Sequence, residues 1–421
     1  MSVTRTTDRS AAAVVGERPL AVELAEWAVQ LEPSPADLEL AQRSLLDTVA
    51  VALAARSNPL RPIASLLPEA GNWAAMAHVL DFDDLHLEST AHISAVCVPA
   101  VLASGGDARA YLAAAGVMAR IGAALGWTHY AQGWHATCTA GAPAAAVAVA
   151  MSLGLNVEET ARAIALAVPA AGGVQRAFGT SAKALQVGFA ADAGERATCL
   201  VVAGATADPT ALDEWFGLVR GRREQSLPRA PAVPGGLAIK LFPCCYALQR
   251  PISAVQRFKV SVEAIQKVIL HTPAATLQPL IHHRPATGLE SKFSIEYAVA
   301  ATLLDGSPGF RSFEDPAVSR PEARALLARV QTVASPGGTD LLDGELQVDI
   351  LLRDGSTVSQ RLALPPGAPG VPPTAEQLLA KFSDCGEDIP GLLRDLTWER
   401  ATEILRRELP SQQASVVGAR T

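Results

Sequence analysis

The chain has 421 residues, of which 49% are hydrophobic, 18% charged and 5% aromatic, and its formal net charge at pH 7 is -7. This composition excludes a disordered chain, and the length predicts at least two domains or one domain with a large insertion. No stripe of lysine and arginine is present that could neutralise phosphates, so we expect no nucleic-acid partner.

The ends and the most apolar segment indicate no export and no membrane span. Residues 1–18 resemble a flexible tail without the apolar core of a signal sequence, and we therefore expect a cytoplasmic protein. The six cysteines contain no CxxC pair, which predicts reduced thiols and no metal site. Residues 136–157 are uncharged but Ala-rich, carry Pro143 and lack basic flanks, so we interpret them as a buried helix.

Apolar residues at three- and four-residue spacing predict helices throughout the first 260 residues. A Ser-Pro pair at 34 and 35 is typical of a helix start. No alternating strand pattern occurs in this half, so residues 19–260 are predicted to form an all-helical domain. The predicted helices cover 20–31, 36–55, 72–84, 92–104, 107–125, 139–153, 157–168, 181–204 and 209–219.

The pattern changes after Arg257. The segment KVSVEAIQKVILHTP mixes a β-branched run with a helix-like one, and the later segments QTVAS, LQVDILL and STVSQRLAL predict strands. Between the first of these segments and QTVAS, FSIEYAVAATLLDG predicts a helix. Residues 261–372 are therefore expected to form a smaller α+β domain, closed by the loop PPGAPGVPP. Helical spacing returns over 373–421, which we expect to contact the first domain again. The predicted fold is mainly α, with a large all-helical domain interrupted by a smaller α+β domain.

Three aspartates and three histidines lie within fifteen positions, from His78 to His92, in an otherwise apolar background. If residues 74–84 are helical, steps of three residues place His78, Asp81 and Asp84 on one face. We interpret this face as the acid-base wall of a pocket, with Asp84 in contact with the substrate. The alternative is a helix end with solvated acids.

The chain uses 29 arginines but only six lysines, and just two lysines precede residue 250. Lys183 lies in FGTSAKALQVG, where Thr180 or Ser181 can start a helix whose amides face an anion. Lys240 lies in GGLAIKLFPCCYALQR. Chance placement of flexible lysine side chains is the alternative reading, but the glycines beside both motifs favour a site.

GWHATCTAG places His135 immediately before a buried helix. A single histidine there is more often a core residue with satisfied hydrogen bonds. His92, His135, Lys183 and Lys240 together, however, are what a pocket for a small polycarboxylate requires.

Five segments in order resemble the MmgE/PrpD family, whose members include 2-methylcitrate dehydratase, cis-aconitate decarboxylase and iminodisuccinate epimerase. The resemblance spans nearly the whole chain. The segments are LDFDDLHLESTAHISAVCVPAVLA, GWHATCTAGAPAAAVAVAMSLGL, FGTSAKALQVGFAA, KLFPCCYALQRPI and KFSIEYAVAATLLDG.

The resemblance implies a helical domain interrupted by an α+β lid, an active site at their junction, and no metal or organic cofactor. The family's active-site positions fall on Asp81, His92, His135, Lys183 and Tyr297, with Lys240 before the Pro-Cys-Cys turn. We expect a homodimer that binds a small carboxylic acid.

Three positions depart from the family pattern: Leu85 replaces a frequent Thr, and Gln186 and Gln249 replace frequent histidines. These losses weaken the methylcitrate and cis-aconitate assignments and favour a substrate with fewer carboxylates or a more apolar body. The expected activity is a cofactor-independent dehydratase or decarboxylase that forms a carbanion next to a carboxylate. The alternatives are an epimerase of an amino- or imino-dicarboxylic acid and a non-catalytic binding protein.

We predict roles for these site residues in that reaction, two of which stay open between two residues. Asp81 or His135 removes the proton, and Lys183 and Lys240 hold carboxylates. His92 or Tyr297 carries out the second proton transfer. Tyr297 lies on the apolar stripe of its predicted helix, and the alternative interpretation is a core residue without a catalytic role.

Overall fold

The Ala-rich, amphipathic segments fold as helices close to the ranges that their spacing predicts. The computed structural model describes residues 18–222 and 229–413, so the predicted tail lies almost wholly outside the described residues. The helices are α1 Leu20–Val29, α2 Pro35–Ala54, α3 Arg61–Ala64, α4 Glu69–His78, α5 Ile93–Ala103, α6 Ala108–Ala131, α7 Ala136–Thr139, α8 Gly141–Ser152, α9 Val157–Ala167, α10 Ala182–Val202, α11 Ala211–Leu218, α12 Gln249–Val255, α13 Gly288–Ser291, α14 Ile295–Asp305, α15 Asp315–Val318, α16 Pro321–Leu327, α17 Ala375–Cys385, α18 Ile389–Leu392 and α19 Trp398–Glu408.

One four-stranded sheet follows the first twelve helices. Its strands are β1 Ile265–Pro273, β2 Val330–Ser335, β3 Leu346–Leu352 and β4 Thr357–Leu362, in the order β2-β1-β3-β4. β1 pairs in parallel with β2 and antiparallel with β3, and β3 pairs antiparallel with β4. The mainly-α class with a small sheet is confirmed. The domain boundaries and the movement of the α+β segment as a lid stay predictions.

Two predominantly apolar helices form the centre of the helical part. Every residue of α5 is buried, and the first ten residues of α8 are buried as well. α6 is long and apolar enough to cross a membrane by length and composition, but 78% of its most apolar window is buried inside the protein. It also contains a break at Gly126, where φ is +61°. We therefore read α6 as a core helix.

Close contact between α4 and α10 positions the site. A Cβ added at Gly188 of α10 would lie 2.6 Å from the carbonyl oxygen of Gly71 in α4, so only glycine allows this approach. The C-terminal end of α4, at His78, is thereby brought against the start of α10, at Lys183.

The C-terminal helices contact the first part of the chain. α17 and α19 lie against α2, and α19 also contacts α5. Lys381 of α17 forms an ion pair with Asp47 of α2 at 2.5 Å, and both side chains are almost fully buried. The indole of Trp73 donates a hydrogen bond to the carbonyl of Leu409. This return of the chain brings Lys381 underneath the site.

Candidate active site

The turn after α4 differs from the sequence prediction. The helix ends at His78 and not at Asp84, and Asp81 has a left-handed backbone with φ of +54°. The prediction that His78, Asp81 and Asp84 share one helix face is therefore wrong. Tertiary contacts from distant lysines replace the helical hydrogen bonds here.

Four of the six lysines of the chain converge on this turn. Lys183 donates to Asp81 Oδ1 at 2.7 Å. Three consecutive carbonyl oxygens accept the other three lysines: Leu80 from Lys292 at 2.5 Å, Asp81 from Lys240 at 3.0 Å and Phe82 from Lys381 at 2.8 Å.

These lysines determine the charge state of Asp81. Burial alone would raise the pKa of this carboxyl, but the positive charges of Lys183 and Lys240 outweigh burial and hold the pKa below its usual value. Asp81 is therefore a carboxylate at neutral pH. Burial lowers the pKa of Lys292 to about 8, against the opposing charge of Asp81.

Asp83 joins two histidines. His78 Nδ1 lies 2.7 Å and His92 Nδ1 3.0 Å from the same oxygen, Oδ2, although the His92 contact has poor hydrogen-bond geometry. A carboxylate repels a nitrogen lone pair, so we assign the proton to Nδ1 in both rings. His78 Nε2 then accepts from Lys183 Nζ at 2.6 Å. His92 Nε2 is left as an unprotonated base.

Both rings are neutral at pH 7. Burial lowers the pKa of His78, and it lowers that of His92 to about 3 in spite of the charge of Asp83. Burial would raise the pKa of Asp83, but the attraction of His78 and His92 brings it well below the usual value.

His135 has the opposite tautomer. It lies at the start of α7, and its Nδ1 is 2.6 Å from the amide nitrogen of Gln186. The Gln186 oxygen accepts from the Val174 amide at 3.1 Å, which fixes the amide orientation. His135 Nδ1 is therefore an acceptor, and its Nε2 carries the proton. Burial, reinforced by Lys183, lowers the pKa of His135 well below its usual value.

Two cavities meet at Lys183. The inner cavity has a volume of about 20 Å³, room for about one water molecule, and the outer pocket has about 310 Å³. Asp81, Lys183 and Phe293 line both. His92 and His135 line the inner cavity, together with Leu85, Thr90, Tyr130, Phe178, Cys245, Tyr246 and Leu341. Phe293 and Leu341 belong to the α+β segment, so this segment and the helical part both contribute to the cavity.

Three predicted site residues do not line either cavity. Lys240 is fully buried, and its ammonium group lies 3.0 Å from the Asp81 carbonyl, 3.4 Å from Asp81 Oδ1 and 3.9 Å from Asp83 Oδ1, so it holds the Asp81 turn. The Tyr297 hydroxyl donates to the Ser312 carbonyl and also hydrogen-bonds with Arg320, and the Tyr297 ring packs against Phe313. Asp84 accepts hydrogen bonds from the hydroxyl and the amide of Ser94. Asp84 and Lys240 are thus structural, and Tyr297 is a packing residue in this arrangement.

Sequence reasoning placed His78 on the pocket wall without giving it a role, and it missed Asp83 and Lys292 as members of the site. The rarity of lysine could have pointed to Lys292, which starts the quoted segment KFSIEYAVAATLLDG. Of the departing positions, Leu85 lines the inner cavity and Gln186 orients His135. The Gln249 amide instead binds the backbone of residues 241 and 242.

Comparison with known proteins supports the resemblance. Residues 64–225 match the model of the MmgE/PrpD N-terminal domain, and residues 242–402 match that of the MmgE/PrpD C-terminal domain. The chain belongs to the MmgE/PrpD family. The family's C-terminal domain begins ahead of the boundary that we predict at residue 260.

Two curated relatives of this MmgE/PrpD protein are cis-aconitate decarboxylases. The enzyme of Mus musculus is 27% identical over 218 residues, which cover 47% of this chain and 44% of the relative. The Homo sapiens enzyme is 26% identical over 217 residues, covering 47% of this chain and 45% of the relative. The matched region thus spans less than half the length of these relatives.

The environment of Asp84 predicts a pH-dependent stability. Burial and the nearby charge of Asp47 raise the pKa of Asp84 to about 7. The pKa of an aspartate in the unfolded chain is about 3.9, so protonated Asp84 contributes its full stabilisation below about pH 4, and this stabilisation is lost as the pH rises through 7. Across that window the free energy of unfolding of the wild type should fall by roughly 1.4 kcal/mol per pH unit because of Asp84, and Asp84→Asn should abolish this fall.

Urea unfolding of both proteins between pH 4 and 8 measures this difference, with the exposed Glu322→Gln as control. Parallel curves for wild type and Asp84→Asn would show that Asp84 is ionised in the folded protein.

His78, Asp83 and His92 have the composition of a metal site among the described residues. Their contacts of 2.7 and 3.0 Å are shorter than the roughly 3.3 Å between ligands of a tetrahedral zinc ion with bonds of about 2.05 Å. Lys183 and Lys240 also repel a cation here. We expect exhaustive chelation to leave activity unchanged, and loss of activity restored by added zinc or iron would contradict this.

Proposed function

We propose that this protein is a cofactor-independent lyase that acts on a small carboxylic acid through a carbanion next to a carboxylate. The observation that carries the proposal is a small cavity that Lys183 lines together with His92 and His135, two neutral histidines of opposite tautomer. His92 presents an unprotonated nitrogen, and His135 presents an N–H. The cavity therefore offers a base, an acid and a cation without any conformational change of these side chains.

Lys183 is placed to stabilise the intermediate. Removing a proton beside a carboxylate puts negative charge on the carboxylate oxygens, where an ammonium group is most effective in a dry cavity. Asp81 and His78 fix the Lys183 Nζ position before the substrate binds. By analogy with oxyanion holes, the loss of such a donor costs about 3 kcal/mol in the transition state.

The two histidines divide the proton transfers. His92 Nε2 takes the proton from the carbon, and Asp83 orients the ring and stabilises the resulting imidazolium, as an aspartate does in a catalytic triad. In a dehydration His135 Nε2–H protonates the departing hydroxide, and the proton taken up by His92 then restores His135. In a decarboxylation no proton is removed from the carbon: loss of carbon dioxide leaves the carbanion, His135 Nε2–H protonates it, and a proton from solvent restores His135. Gln186 supports this role because its amide keeps the proton on Nε2.

The inner cavity has to open for a substrate to enter, since it holds only about one water molecule. Phe178 and Phe293 stack at 5.1 Å between ring centres, and Lys183 Nζ lies 5.4 and 5.5 Å from the two rings. Phe293 comes from the α+β segment. We propose that this segment moves as a lid and that its return excludes water from Lys183.

The first test is incubation of the protein with small di- and tricarboxylic acids in deuterated water. Net loss of water or carbon dioxide, measured by mass spectrometry, is the expected result. Deuterium exchange with inversion but without net product would identify an epimerase instead. Absence of both exchange and product would leave a binding protein of the same fold.

The second test compares two substitutions. Lys183→Met should lower kcat/KM by roughly 100-fold or more, because the cation of the cavity is lost. Tyr297→Phe should keep turnover close to wild type and cost about 1 kcal/mol of stability, because its hydroxyl bonds to the Ser312 carbonyl and to Arg320 and lines neither cavity.

The exposed Lys259→Met serves as charge control. Asp81 keeps Lys240 as its partner in Lys183→Met, so we expect this variant to fold. The folded fraction of each variant, measured by circular dichroism, separates a loss of activity from a loss of stability. If only Tyr297→Phe is inactive, the assignments of Tyr297 and Lys183 are reversed.

A further inference from the structure

The outer pocket has a chemistry that the proposed reaction does not use. Its volume of about 310 Å³ lies at the lower end of the range for small-molecule sites. Much of its wall is apolar, and the hydrophobic side chains Leu60, Ile63, Val79, Leu289 and Phe293 contribute to it. Ile63 and Leu289 are 50% and 37% exposed, so the pocket opens to the surface between α3 and α13.

The charges in the outer pocket disfavour a second carboxylate. Among the described residues that line it, Lys183 is the only lysine or arginine, and His78 is neutral. Lys183 is already paired with Asp81 and is needed by the reacting carboxylate. Asp315 adds a further negative group to the wall.

Two polar side chains of the wall, Asn58 and Thr180, hydrogen-bond to the backbone. The Asn58 oxygen accepts from the Leu60 amide at 2.9 Å. The Thr180 hydroxyl donates to the Ala177 carbonyl at 2.7 Å. These groups therefore shape the pocket and do not require a polar ligand.

We propose that the outer pocket binds an uncharged, hydrophobic substituent of the substrate acid. This inference rests on the proposed function, because it takes Lys183 as the partner of the reacting carboxylate. Lys183 and Phe293 line both spaces, so an acid bound at Lys183 can place its substituent in the outer pocket. The substrate class is then a small carboxylic acid with a branched or linear alkyl group, and not a tricarboxylate.

Two acids of nearly equal shape test this proposal. Citrate is malate with a carboxymethyl group at C2, and 2-isobutylmalate carries an isobutyl group of the same size there. Calorimetry should show 2-isobutylmalate binding about 10-fold or more tightly than citrate, and also more tightly than 2-methylmalate, since each methylene buried in a hydrophobic pocket contributes roughly 10-fold or more. Equal or tighter binding of citrate, or no binding of any of the three acids, would overturn the proposal.

A matched pair of variants locates the effect. Ile63→Arg puts a cation into the wall and should weaken 2-isobutylmalate binding about 10-fold or more while improving citrate. Leu66→Arg is the control, because Leu66 is 53% exposed on the same segment but outside the wall. Equal effects of the two variants would contradict the assignment of the pocket.

Binding needs no turnover, so the two proposals fail separately. Tight binding of 2-isobutylmalate without proton exchange or product would contradict the lyase and leave the pocket assignment standing. Turnover of citrate with weak binding of 2-isobutylmalate would support the lyase and contradict the pocket assignment.

Discussion

Buried negative charge at the Leu80–Asp84 turn is the constraint on which the rest of the structure depends. Transferring an ion from water into a protein interior costs several kcal/mol, and only close partners offset that cost. Asp81 and Asp83 are almost completely buried, and both are ionised. The chain offsets this charge with lysines from α10, from the Pro-Cys-Cys region, from the α+β segment and from α17. Four distant parts of the sequence therefore have to fold around one turn.

The use of lysine at this turn has a geometric reason. An ammonium group is a compact charge on a flexible stem, whereas a guanidinium is planar and suits the two oxygens of a carboxylate. Single backbone carbonyls in a crowded turn accept an ammonium more easily. A chain with 29 arginines nevertheless keeps lysine at these four positions. Lys292 adds a functional link, because it ties the α+β segment to the residue next to Asp81.

The neutral histidines depend on the same turn. Asp83 fixes His78 and His92 in one tautomer, and Gln186 fixes His135 in the other. This member of the MmgE/PrpD family thus combines one buried cation with neutral histidines of both tautomers. The outer pocket beside them is largely apolar, which agrees with the proposed substrate that carries an uncharged substituent.

The sequence by itself determined the mainly-α fold, most helix ranges, the strands β2 to β4 and the family. These features depend on local spacing and on recognisable segments, as the capping box at Ser34 shows. It also singled out Asp81, His92, His135 and Lys183 as candidate site residues, because burying charged or polar side chains in an apolar background costs free energy unless they are paired. Only the tertiary structure decided where α4 ends, since lysines remote in sequence replace its hydrogen bonds. The same holds for Asp84, Lys240 and Tyr297, whose partners lie far along the chain or on another element and leave no local pattern.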